Sequence, residues 1–155
     1  MMIQRIQTVY LFIAAVLSAV CLAMPVGVYV PEEMGVRSEM YNMYILTSDT
    51  AHEYDFSVCG LSFALVASCA LSLIAIFKYK NRRAQSGMCL LSILLLAVWY
   101  VVYAVYALTS GDSRGAAFAV RLPAVLPAVS LIFNMLARRS ILKDEALVRA
   151  ADRIR

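Results

Sequence analysis

The chain has 155 residues, of which 63% are hydrophobic and 15% charged, with a formal net charge of +4. Its mean hydropathy is +0.77. Soluble domains average about 45–50% apolar and about 25% charged residues, so a water-soluble globule is excluded, as are disordered, collagen-like and disulfide-scaffold classes. An all-α, polytopic membrane protein remains.

Four stretches are apolar enough to cross a hydrocarbon core of about 30 Å, which takes about 20 helical residues. They cover about 9–30, 57–77, 88–108 and 116–137 of a single domain, 1–155, and none contains Asp, Glu or Lys. Without water to satisfy their backbones, all four are expected to be helices. They leave an outer loop at 31–56, a cytosolic turn at 78–87, an outer turn at 109–115 and a cytosolic tail at 138–155. A cleavable signal peptide is the rival reading of the first span. Its apolar run exceeds the usual h-region of about 7–15 residues, and Cys21-Leu22-Ala23 is a poor cleavage site.

Charge sets the expected orientation. Arg5, the 78–83 turn and the tail carry eleven of the fourteen basic residues, while Arg37, Arg114 and Arg121 lie on the other side. Seven of the ten acids accompany those three. Short basic segments stay in the cytoplasm, so both termini are expected to be cytosolic.

Helices in lipid associate through small residues. The first span offers Ala15, Ala19, Ala23 and Gly27, and the second offers Gly60, Ala64, Ser68 and Ser72, each row at four-residue spacing on one helix face. These rows are expected to face each other or a neighbouring helix. In the third span, Trp99, Tyr100, Tyr103 and Tyr106 form either a ligand groove or, the favoured reading, an aromatic belt at the outer interface. Pro123 and Pro127 are expected to kink the fourth span. Arg121, one turn earlier, is expected to snorkel outward or to pair with Asp112.

Chemistry-bearing motifs are scarce. His52 lies beside Glu53 and Asp55 without a recognised metal-ligand spacing, which reads as a solvated loop, not a metal site. Cys21, Cys59, Cys69 and Cys89 all fall within spans, where thiols behave as small hydrophobes. Phosphate loops, HExxH and GxSxG are absent from the sequence. No catalytic residue, cofactor or metal is expected. Coupled transport finds no acid at membrane depth to use.

Two segments outside the spans carry information. Residues 40–47 read as a short strand or hairpin, or equally as an irregular loop. In the tail, Ile141, Leu147, Val148, Ala151 and Ile154 share one helical side, and Glu145 stands four residues before Arg149, a favourable order for an ion pair. A short amphipathic cytosolic helix is expected there. Interspersed acids argue against nucleic acid as its partner.

Three segments carry a family resemblance. The opening Met2-Ile3-Gln4-Arg5-Ile6-Gln7-Thr8-Val9-Tyr10, the middle Tyr79-Lys80-Asn81-Arg82-Arg83 and the ending Lys143-Asp144-Glu145-Ala146-Leu147-Val148-Arg149, with Ala151-Asp152-Arg153-Ile154-Arg155, are its carriers. Asn134 followed by Arg138 or Arg139 fits its fourth-span exit. Together these resemble small four-helix inner-membrane proteins of Bacteroidota, known only as a domain of unknown function. The resemblance implies a four-span bundle in the bacterial inner membrane and supplies no activity. It concentrates distinctive residues on the cytosolic face. Gln4, Arg5, Gln7, Arg138, Arg139, Lys143, Arg149 and Arg153 are therefore the candidate contacts for a protein partner or lipid. The expected function is a non-enzymatic accessory or scaffold subunit, with room for a homo-oligomer. The alternative is a transporter or channel with a cavity between spans three and four.

Overall fold

The structure, a computed structural model, describes residues 2–31, 37–47, 53–79, 81–114 and 116–152. Four helices form an up-and-down bundle: α1 Met2–Ala23, α2 Cys59–Phe77, α3 Arg82–Arg114 and α4 Leu126–Asp152. All four are long and apolar enough to cross a membrane. At one end they carry a five-stranded antiparallel sheet, with β1 Gly27–Pro31, β2 Ser38–Met40, β3 Ile45–Thr47, β4 Glu53–Asp55 and β5 Ala116–Val120 in the order β4-β3-β2-β1-β5. The opposite end holds the α2–α3 turn and the last turns of α4.

The sheet redraws two expected spans. The first does not run to residue 30. Pro25 has no N–H and disfavours helix in the residue before it, so α1 stops at Ala23. The chain then re-enters as β1, whose Val28, Tyr29 and Val30 suit a strand. The fourth span likewise opens as strand β5, followed by a short 3-10 turn at Leu122–Val125. Neither proline kinks a helix: Pro123 lies in the 3-10 turn and Pro127 in the first turn of α4, where no N–H is missed. At the other end, α4 continues without a break through the tail to Asp152. The separate short helix expected there is its extension.

The 40–47 segment is a hairpin. Met40 pairs with Ile45, and the Tyr41 N–H donates to the Tyr44 carbonyl at 2.9 Å across the turn. In β1, Gly27 answers a steric demand. A Cβ built there would lie 2.4 Å from Cζ of Phe118, whose ring occupies the space.

Three layers fill the bundle. At the sheet end, Tyr29, Met40 and Ile45 pack on Val26, Leu61, Leu65, Leu96, Trp99 and Tyr103. At the other end, Leu11, Ala75, Cys89, Ala137 and Ile141 form a second apolar cluster. Between them lies a polar seam of serines and one asparagine.

Candidate functional site

The seam joins all four helices. The Ser130 hydroxyl of α4 donates to the Ala14 carbonyl of α1 at 2.9 Å and lies 3.0 Å from the Ser18 hydroxyl. One turn on, Asn134 Nδ2 donates to the Ser130 carbonyl, and its Oδ1 accepts from Ser72 of α2 at 3.3 Å. Ser68 meets Ser92 of α3 at 2.7 Å. These six side chains are buried. Their mutual bonding satisfies groups that would otherwise be stranded in an apolar interior.

The small-residue rows are only partly used. Ala15, Ala64, Ser68 and Ser72 are buried, and Cys69 Sγ contacts the Ala15 carbonyl at 3.5 Å. Ala19 and Ala23 face outward, Gly60 has open space beside it, and Gly27 belongs to β1. The inner face of α1 is instead Leu11, Ala14, Ala15, Ser18 and Cys21, a mixed three-and-four spacing set by contact with α4 as well as α2. Ser68 and Ser72 turn towards α3 and α4, not towards the α1 row.

At the sheet end, Asn42 is the knot. It is fully buried. Its Nδ2 donates to the Cys21 carbonyl at 2.7 Å, its Oδ1 accepts from Trp99 Nε1 at 3.0 Å, and its carbonyl accepts from the Ser62 N–H at 3.0 Å. One side chain and its backbone thus tie the hairpin to α1, α2 and α3. The aromatic belt expected on α3 is an interior frame. Trp99 and Tyr103 stack with centroids 5.0 Å apart, and Tyr103 Oη donates to the Val26 carbonyl at 2.9 Å. Tyr100 Oη donates to the Ala124 carbonyl at 2.8 Å, and Tyr106 Oη to the Ser57 carbonyl at 2.7 Å. These hydroxyls tie α3 to the segments that lead into α4 and α2.

Arg121 pairs with Glu39 at 2.7 Å, a partner not among those expected, and the expected pair with Asp112 falls on a side chain outside the described residues. Leaving the end of β5, it reaches across β1 to β2. The side chains of Asp112 and Glu53, and the whole of His52, lie outside the described residues, which contain no cluster of three metal-ligating side chains. All four thiols are free.

The opposite, basic end holds the candidate contacts. Arg82 lies 3.2 Å from the Asp144 carboxylate and also donates to the Asp144 carbonyl at 3.1 Å. Arg83 lies 3.2 Å from Glu145, which also accepts from Arg149 one turn later, the expected i,i+4 pair. Hydrogen bonds from Arg149 and then Arg83 hold the Glu145 carboxyl below its ordinary value. The arginines of the middle motif therefore grip the acids of the closing motif.

The remaining contacts divide by exposure. Arg139 and Lys143 are exposed, and Arg138 is half-buried with its Nε enclosed and without a partner among the described residues. Gln7 is buried, and its Nε2 likewise has no partner among the described residues. From the Ser130–Ala14 contact, both lie about 10–12 Å towards the basic end at the α-helical rise, so they share one level of the bundle. Gln4 and Arg5 fall in the first turn of α1, with side chains outside the described residues, as is all of Arg153.

Reading the sequence missed Asn42, Ser92, Ser130 and the Arg82 and Arg83 pairs. Ser92 and Ser130 did carry a signal, as lone hydroxyls inside apolar runs. Asn42, in a polar loop, carried none. No curated protein matches the chain. A family model does, over residues 3–154, and the chain belongs to that family, described as a domain of unknown function (DUF4293).

Proposed function

We propose that the chain is an integral protein of the bacterial cytoplasmic membrane, with both termini cytosolic, acting without catalysis as an accessory or scaffold subunit. The inverted polarity of the bundle is the observation that carries this reading. Serines and Asn134 fill its middle, while Phe12, Phe63, Val101 and Leu108 stand on its outside, more than half exposed. Water would penalise so large an apolar surface, whereas lipid accepts it and favours internally bonded polar groups. The 78–83 turn and the tail then lie in the cytosol, because short basic segments are retained there.

Docking is supported by the tail. The Arg82–Asp144 and Arg83–Glu145–Arg149 contacts stiffen the end of α4, which offers Leu147, Val148 and Lys143 outward. An ordered tail with exposed apolar side chains suits a protein partner, which includes a second copy of the chain. The test is gentle purification from native membranes with mass spectrometry, comparing the parent protein with Leu147→Asp/Val148→Asp. Loss of a co-purifying protein is expected, and an unchanged set of companions counts against docking. Reporter fusions at residues 1 and 155 test the orientation independently.

A further inference from the structure

Between α3 and α4, at the basic end, Leu90, Ile93, Met135 and Leu142 form the apolar walls of a groove of about 270 Å³ closed by Arg138 and Arg139. The charges of this groove are uncommitted. Asp144 and Glu145, the acids nearest in sequence, are held by Arg82, Arg83 and Arg149. Among the described residues neither Arg138 nor Arg139 has a carboxylate partner. Arg138 also keeps an enclosed Nε with nothing to donate to. A half-buried guanidinium without an anion is an unfavourable arrangement, and one that a bound oxyanion relieves.

We infer that this groove is a binding site for one anionic phospholipid of the cytosolic leaflet. Arg138 and Arg139 receive its phosphate, and an acyl chain lies along Leu90, Ile93 and Met135. The inference rests on the membrane reading above. Three observations select this occupant. The groove pairs two cations with an apolar trough, the polarity of a headgroup joined to a chain. It sits where the apolar part of α4 gives way to its charged extension, the level of the headgroups. Arginine's planar fork also suits a phosphate's paired oxygens.

The test places the full chain in nanodiscs containing equal amounts of phosphatidylglycerol and phosphatidylcholine, and reads the lipids retained on release by native mass spectrometry. Wild type is expected to retain phosphatidylglycerol in preference, by about fivefold for each arginine engaged. Arg138→Gln/Arg139→Gln is expected to abolish the preference, while Lys143→Gln, a cation outside the groove, preserves it. Leu90→Trp narrows the trough with both arginines in place and is expected to lower retention of phosphatidylglycerol severalfold. Equal retention of the two lipids by wild type, or equal losses in the Lys143 variant, overturns the site. So does a double variant that keeps its lipid preference but loses a bound protein. A chain that fails to enter nanodiscs at all overturns the membrane reading along with the site, which separates the two failures.

Discussion

Arg82 meets Asp144 twice, through the carboxylate at 3.2 Å and through the backbone carbonyl at 3.1 Å, so one side chain fixes both the position and the axial register of the α4 extension. Arg83 and Glu145 repeat the contact one residue along in each segment. The basic turn is thus a clamp on the tail as well as a topological signal.

Breaking that clamp is expected to loosen the tail while leaving the bundle folded. Arg82→Gln removes both contacts and should cost about 1 kcal/mol of local stability, the upper range for a partly exposed pair. Asp144→Asn retains the carbonyl contact and should cost less. Hydrogen exchange of residues 143–152 in detergent reads the difference, and equal protection in all three proteins would remove the clamp from the account.

Acid should release the tail as well. Glu145 has its carboxyl lowered by Arg149 and Arg83, so its contribution is complete at neutral pH. It declines once pH drops below the ordinary glutamate value and vanishes below the lowered one. Dyes on Tyr79→Cys and Ala150→Cys, with Cys59→Ser, should report a distance that grows over this acidic window. In Glu145→Gln the distance should already be long at neutral pH and should respond less to acid.

Asn42 governs the cap. Asn42→Leu fills the volume but strands Trp99 Nε1 and leaves the Cys21 carbonyl only the 3.4 Å contact from the Met24 N–H, and should destabilise the protein by about 2–4 kcal/mol. Thermal unfolding and a shift in Trp99 emission would follow together. A variant as stable as the parent would mean that the sheet end does not depend on this residue.

Gly27→Ala places a methyl against the Phe118 ring, which is itself held by Tyr29 and Tyr103. Crowding in a packed site typically costs about 1–3 kcal/mol. Phe118→Leu shortens the opposing side chain, so the two changes together should be less harmful than their sum. Strict additivity would show that the ring has room to move aside.

Removing one hydroxyl from the seam should have a mild effect. Ser92→Ala is expected to cost about 0.6 kcal/mol, the average for a hydrogen bond between membrane helices. Asn134→Leu breaks bonds to both Ser72 and Ser130 and should cost more. Unfolding in a denaturing detergent series ranks the two, and the reverse order would contradict the connectivity described.

Hydropathy located all four helices but misjudged what adjoined them. Val28, Tyr29 and Val30, like Ala117, Phe118 and Ala119, are as apolar as a span, and periodicity cannot distinguish a short apolar strand from a helix end. Pro25 and Pro127 held the missing information as a stop and a start signal. The i,i+4 pair of Glu145 and Arg149 was legible because both partners lie on one helix. Arg82–Asp144 was not, since 62 residues separate its partners and no local rule joins them. For the same reason the polar seam showed only as isolated serines, each with a local alternative in its own backbone. The charges of the groove stood out in the sequence. Its apolar walls depend on how α3 and α4 meet.

Tyr29 pairs with Phe118 across 89 positions of the chain. A ribosome therefore releases β1 long before β5 exists, and two further helices must be made in between. Until then β1 has an unmatched edge, and Gly27 lacks the ring that later covers it. Completion of the sheet is accordingly a late event that waits on the third helix and on β5 itself. A nascent chain that stalls or misthreads midway is left with an open strand that quality-control proteases can recognise.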